Sequence, residues 1–418
     1  LSGVASATGT APSMPRMTLA LNGISYKNCL SSRVIRDLRE ISGSFEFSML
    51  DTARTAAVAG YGSSIAPIVP GMAAQVAIDG EVVLIGWVDE VKPFWHASQR
   101  GISITGRDKV GDLVDCAAAS TGPAEYSGVD LLAIAKALCA PFGVSVRADC
   151  DVGAVFTRLA IGTHETVMSA LEKASRQRAV LVVSDGVGGL LLTQGGSSPA
   201  PAPINCGPGG NAMAIADDSS GQFSWRKRFS DYFVKGQSEK AAGQRGSTVA
   251  MDSTLVPYDG GPTLPAAGVA TTKEKAGVLI TGHATDPEVT RWRPTVRVTR
   301  TQSGAATGQQ QADWALRVAK GESERLTYGV PDFRAGTSRA LWRPNQLTQV
   351  VDPYQAIDKP MLIDAVTYEQ SEKGVLSTLR VVGPSAYDRI DEPAKRRQRT
   401  GTKPAPGNSD LAPDFGGP

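Results

Sequence analysis

Cysteine is scarce in this chain: Cys29, Cys116, Cys139, Cys150 and Cys206 serve 418 positions. An odd number without close pairs excludes a disulfide-stapled secreted scaffold and lacks the ligand spacing of a structural zinc site. Buried free thiols in a reducing compartment are expected, and with them assembly in a cytosol. Histidine is scarcer still, and His96, His164 and His283 stand apart without the spacing that holds a metal, so surface or packing positions are expected for each. Long apolar runs are missing too. The most apolar stretch, Ala179 to Leu192, is broken by Ser184, Asp185, Gly186, Gly188 and Gly189 and is too short to span a bilayer, so no membrane insertion is expected. An excess of one charge is also absent: 43 basic and 41 acidic residues leave +2, which gives no bulk field for nucleic acid or lipid.

Signatures of catalysis are equally thin. Gly-x-Ser-x-Gly, the spacing of a nucleophile elbow, does not occur. The clusters Gly186, Gly188, Gly189 and Gly207, Gly209, Gly210 lack the Lys-Ser/Thr ending of a phosphate loop and read as turns. Asp89 and Glu90 are neighbours on an expected strand, where side chains alternate between faces, so they are not expected to converge on one bond. No catalytic residue, cofactor or metal site is expected, and the chain reads as a non-enzyme. Two Trp-Arg mixtures, Trp225-Arg226-Lys227-Arg228 and Arg291-Trp292-Arg293, suit single-stranded nucleic acid by residue type. Without a wider basic field, a protein interface is the better reading, because Trp and Arg anchor such contacts.

What the chain has in plenty is glycine and proline, 45 and 26, which favours many short strands over long helices. Its length implies more than one core. Residues 1–16, small and polar without a signal-peptide pattern, read as a flexible arm. From Met17 the period is two: Phe45, Phe47 and Met49 alternate with Ser44, Glu46 and Ser48. Asp79-Gly80 predicts a tight hairpin between Ala73–Ile78 and Glu81–Val91, and Ile102–Thr105 adds a strand. Residues 17–107 are therefore expected to form an antiparallel β-barrel domain.

After Gly106-Arg107-Asp108 the period becomes helical. Leu131, Ile134 and Leu138 share one face of a helix that Ser127 is placed to cap, and Val167, Leu171 and Ala174 share a face of a second, Glu165 to Arg176, with Thr163 as its cap. A hairpin over Ala179–Val183 and Leu190–Thr193 completes a small α/β insert domain, 108–200. A Pro/Ser-rich linker, Ser197 to Pro203, opens the last block, 201–385. It is expected to hold a strand in Phe223–Lys235, a long loop over about 236–289, a strand at Thr295–Thr299, a helix at Gly308–Glu322 and strands near Gln346–Val351, Met361–Glu369 and Gly374–Val382. Residues 386–418, with Lys395, Arg396, Arg397, Arg399 and Lys403, read as a flexible, solvated basic tail.

Two segments carry a specific likeness. Gly106-Arg107-Asp108-Lys109-Val110-Gly111-Asp112-Leu113-Val114-Asp115-Cys116 resembles the junction of Mu-like phage baseplate hub proteins. Leu341-Trp342-Arg343-Pro344-Asn345-Gln346, followed by Val350-Val351-Asp352 and Leu362-Ile363-Asp364-Ala365-Val366, is similar to that family's carboxy-terminal barrel. The resemblance covers roughly residues 17 to 385. It implies a mainly β fold, with two tail-tube-like antiparallel β-barrel domains plus a small α/β domain. It also implies a homotrimeric ring in the virion baseplate of a contractile tail, between the hexameric tail tube and a trimeric central spike, beside other baseplate proteins. DNA would pass through that ring without specific binding. Gly106, Arg107, Asp108, Gly111, Asp112 and Asp115 would then hold the structural junction, and Trp342, Pro344 and Asn345 the second barrel. The alternatives are a tail-associated peptidoglycan hydrolase, hosted by the α/β insert, or a cell-wall-binding module.

Overall fold

In the computed structural model, residues 17–26, 29–50, 68–95, 100–118, 123–212, 220–236, 279–299 and 308–389 are described. The arm at 1–16, most of the tail and the larger part of the expected long loop lie outside them.

The first block consists of β1 (Met17–Leu21), β2 (Ile24–Tyr26), β3 (Cys29–Asp37), β4 (Ser44–Leu50), β5 (Ala73–Ile78), β6 (Glu81–Trp95) and β7 (Arg100–Asp108). All pairs are antiparallel, in the order β2-β1-β5-β6-β7-β4-β3. Asp79 and Gly80 both take positive φ, 50° and 85°, which matches the twist of the flanking strands and sets Ile78 opposite Glu81. The alternation in β4 has its expected result: Phe45, Phe47 and Met49 are buried.

A one-turn helix, α1 (Gly111–Asp115), leads into the insert, which contains α2 (Leu131–Cys139), β8 (Ser145–Ala148), α3 (Val167–Arg176), β9 (Leu181–Ser184) and β10 (Gly189–Thr193). Leu131, Ile134, Leu138, Val167 and Leu171 form a core of their own with Leu190 and Leu192. The caps differ from expectation. Asp130, not Ser127, accepts from Ala133 N at 2.7 Å, and Thr166, not Thr163, accepts from Ser169 N at 3.2 Å. A cap reaches only the N–H groups two or three residues on, so the residue directly before the first turn takes the role.

The last block contains β11 (Ser220–Phe223), β12 (Asp231–Gly236), β13 (Leu279–Thr285), β14 (Pro294–Thr299), α4 (Gly308–Glu322), β15 (Glu324–Pro331), β16 (Gln346–Asp352), β17 (Ile357–Ser371) and β18 (Gly374–Val382). Three differences from the sequence reading stand out. Phe223–Lys235 is two strands in two different sheets. The expected loop gives way to strand at Leu279, and 237–278 lies outside the described residues. Strand β15 had no clear period, because Leu326, Tyr328, Gly329 and Val330 are all buried.

Strands β12 to β14 form a separate sheet in the order β13-β12-β14, backed by α4 through Tyr232, Val234, Ala284, Ala312 and Ala315. The remaining long strands join the first block. Strand β17 uses one edge twice: Ile357–Leu362 pairs with β16, and Ala365–Gln370 pairs antiparallel with β3. The mainly β architecture with an α/β insert is therefore present, but among the described residues the two blocks share one sheet whose pairing runs open from β2 to β11. One core serves both, with Leu19, Phe47 and Ile104 beside Tyr328, Phe333 and Trp342.

Candidate inter-domain junctions

Three clusters of polar side chains hold the blocks together. The first lies at the end of β7. A Cβ on Gly106 would stand 2.1 Å from the Trp87 carbonyl oxygen and 2.5 Å from the Phe45 ring, so the close strand packing there requires glycine. Arg107 bridges Asp89 at 2.8 Å and Asp115 at 2.7 Å, linking β6 to α1. All three are partly exposed, so the pairs orient more than they stabilise. Asp108 is the dry centre, 2% exposed. It accepts from Gly43 N at 3.0 Å, Ser42 Oγ at 2.9 Å, Val110 N at 3.1 Å and, across to the insert, Ser184 Oγ at 2.6 Å. Burial pushes this carboxyl above its usual range, and the donors offset part of that. Gly111 packs within a Cβ's reach of Ser42 and Arg107, while Asp112 occupies the first turn of α1. The alternation expected at Asp89 and Glu90 fails: a bulge between Val88 and Glu90 breaks the register, and both are exposed.

The second junction joins the linker to β17. Asn345 follows Pro344 in a turn and takes φ 66°, a conformation asparagine tolerates better than most residues. Its Oδ1 accepts from Gly196 N at 2.7 Å, its Nδ2 donates to Gln194 O at 2.9 Å, and its backbone N–H donates to Ile363 O at 2.9 Å. Trp342, fully buried, lends its carbonyl to the Tyr368 hydroxyl, while its indole Nε1 has no acceptor.

Arg343 and Arg334 reach back to the hairpin tip, meeting Glu81 at 2.6 Å and 2.8 Å. Burial raises the Glu81 pKa, but the hydrogen bonds from Arg334 and Arg343 outweigh it and hold the carboxyl below the usual range. A depressed folded pKa gives stability that is present above the unfolded value and lost as pH falls through the folded one. Glu81→Gln is expected to cost under about 1 kcal/mol at neutral pH, since these groups are partly exposed, and nothing once the carboxyl is protonated. Melting curves of both proteins from neutral pH down to below about pH 4 check this; parallel curves throughout would count against it.

The third junction is the β3–β17 seam, which the sequence reading missed. Asp364 is the extra residue in a bulge between Ile363 and Ala365, and it is fully buried. Arg380 on β18 donates to it at 2.7 Å and 3.1 Å and to Asp37 on β3 at 2.7 Å. Arg39 and the Tyr387 hydroxyl complete the cluster at 3.4 Å and 3.3 Å. Burial works against the Arg380 charge, yet the hydrogen bonds to Asp364 and Asp37 hold its guanidinium above the ordinary range. One signal was available: a lone acid inside the apolar run Met361–Val366.

Outside the junctions, Cys139 is buried as expected, but Cys116 is exposed. His164 is exposed, His283 stacks on Phe233 with centroids 4.4 Å apart, and His96 lies outside the described residues. Among the described residues, no three His, Cys, Asp or Glu side chains are grouped to hold a metal ion.

Family models match the chain in succession. Residues 16–108 match the N-terminal domain of Mu phage baseplate assembly protein GpP-like proteins, 110–194 the second domain of gp44-like baseplate hub proteins, and 304–390 the fourth domain of Mu phage baseplate assembly protein GpP. Baseplate hub protein gp44 of Escherichia phage Mu is 27% identical over 406 residues, 96% of each chain. The 43 kDa tail protein of prophage MuSo2 from Shewanella oneidensis is 29% identical, with a TM-score of 0.69 over 90% of this chain and 99% of that one. A tail protein from Neisseria meningitidis MC58, 20% identical with a TM-score of 0.66 over 90% and 98%, shares the fold. Three successive baseplate domain models and a hub relative matched nearly end to end make the Mu-like phage baseplate hub proteins, structural parts of the virion tail, the family that this chain resembles along its length.

Proposed function

We propose that three copies of the chain form a ring that adapts a sixfold tail tube to a threefold central spike. The observation that carries this reading is the pairing of β3 with β17, which joins two strand-rich blocks edge to edge within one chain. Two such blocks in each of three chains would present six edges on one side and three equivalent surfaces on the other. In this reading the chain divides into β-rich 17–107, α/β 108–200 and β-rich 201–385.

In this reading Gly106, Arg107, Asp108, Gly111, Asp112 and Asp115 lock the insert against the ring, and Trp342, Pro344 and Asn345 lock the linker. The tube, spike and neighbouring baseplate proteins are the partners, DNA passes through the opening, and assembly takes place in the host cytoplasm. The role is non-enzymatic: relatives are named as hub and tail proteins.

Sedimentation equilibrium of the purified chain is expected to give three times the monomer mass. A stable monomer at micromolar concentration overturns the ring. Zymography on peptidoglycan is expected to show no clearing, and clearing abolished by a single carboxylate substitution overturns the non-enzymatic role.

A further inference from the structure

The two Trp-Arg runs, 63 or more residues apart in the chain, are brought together in the fold. Arg293 donates to the carbonyls of Trp225 at 2.8 Å and Arg226 at 3.1 Å, and Ser230 N donates to Arg293 O at 3.0 Å. Arg228 is consumed internally, buried against Asp286 at 2.6 Å and Glu288 at 2.8 Å, with its guanidinium 5.0 Å from the centre of the Trp225 ring. What remains at the surface is Trp225, 44% exposed, and Trp292, 68% exposed, beside Arg226, Lys227 and Arg291. Those three cations are exposed and make no ion pair among the described residues.

Trp292 and Arg293 lead directly into β14. That strand is hydrogen-bonded to β12 on one side, and its other edge is open among the described residues. Val296 and Val298, two apart and so on one face, are 51% and 66% exposed. An open edge bearing exposed apolar side chains is a template for another strand, and natural proteins ordinarily blunt such edges.

We infer that the edge of β14, flanked by Trp225, Trp292 and the free cations, binds an extended segment of another protein by strand addition. The segment would alternate apolar and acidic side chains: its backbone pairs with the open edge, its apolar residues cover Val296 and Val298, and its carboxylates meet Arg226, Lys227 and Arg291. An unpaired strand edge offers its donors and acceptors at the spacing of a polypeptide backbone and not of stacked bases, which favours a peptide over single-stranded nucleic acid. The inference stands apart from the trimeric ring.

The test titrates the full chain against three fluorescent probes: a peptide alternating valine and glutamate, one alternating valine and lysine, and a single-stranded oligothymidine. The glutamate peptide is expected to bind best and to quench tryptophan fluorescence. Trp292→Ala and Arg291→Glu, both surface changes, are each expected to weaken it about tenfold or more while leaving the melting temperature unchanged. Failure of the glutamate peptide to bind, binding no tighter than the lysine peptide, or indifference to both substitutions overturns the inference. Tighter, competing binding of the oligonucleotide overturns it in favour of nucleic acid. Loss of self-association in the two variants overturns it in favour of a second copy of this chain.

Discussion

Replacing Asp364 with alanine is expected to cost about 3–5 kcal/mol of folding stability, the loss that follows when one member of a buried ion pair is removed. Asp364 is wholly shielded from water and receives two bonds from Arg380 and one from the Tyr387 hydroxyl. Without it, Arg380, whose side chain is a quarter exposed, keeps Asp37 at 2.7 Å, but its Nε loses its carboxylate partner. The loss should fall on the joint between blocks, because β3 and β17 pair immediately beside the cluster. Denaturant titration followed by tryptophan fluorescence reads the cost. Asp364→Leu combined with Arg380→Met is expected to recover only part of it, since the apolar pair removes the unmatched guanidinium but leaves Asp37, 11% exposed, without its partner. A single-variant cost under about 1 kcal/mol, or a double variant worse than the single, would show that the pair does not hold the seam.

Trp342→Ala is expected to cost about 3–5 kcal/mol, the range for deleting a large aromatic from a packed core. Trp342 is fully buried in the core that both blocks share, and its carbonyl receives the hydroxyl of Tyr368, whose ring meets Phe333 edge-on at 5.6 Å. Trp342→Phe should cost far less than alanine. The indole Nε1–H is buried without an acceptor, so phenylalanine removes an unsatisfied donor along with some volume, and the two effects oppose each other. Denaturation midpoints of the two variants, compared with the parent protein, separate the contributions. Equal costs for phenylalanine and alanine would mean that the indole nitrogen contributes a bond in solution.

Much of the local structure was legible. The Asp79-Gly80 hairpin, the helix at Gly308–Glu322 and strand β18 fall at their expected residues, because each is set by turn chemistry or a short-range period. The cap misplacements at Ser127 and Thr163 are errors of a few residues of the kind that periodicity leaves open, since the apolar stripe marks a face and not a first turn. Strand β15 was invisible for another reason: four of its eight residues are buried, so the polar half of the alternation is diluted. The candidate junctions divide the same way. Asp108 was singled out by the run Gly106 to Cys116, yet its bond to Ser184, 76 residues away, has no local sign.

Alone, the sequence determined the strands and helices that nearest-neighbour sterics and side-chain period govern, the absence of recognisable catalytic spacing, and the two runs on which the resemblance rests. Tertiary structure decided that β17 turns one edge from β16 to β3, that Asp364 lands in a bulge facing Arg380, and that two Trp-Arg runs meet beside an open strand. Arg380 and Asp37 are 343 residues apart, and no propensity acts over such a distance. Which edges join, and which charges lose their water, is settled only when the whole chain competes for the same core.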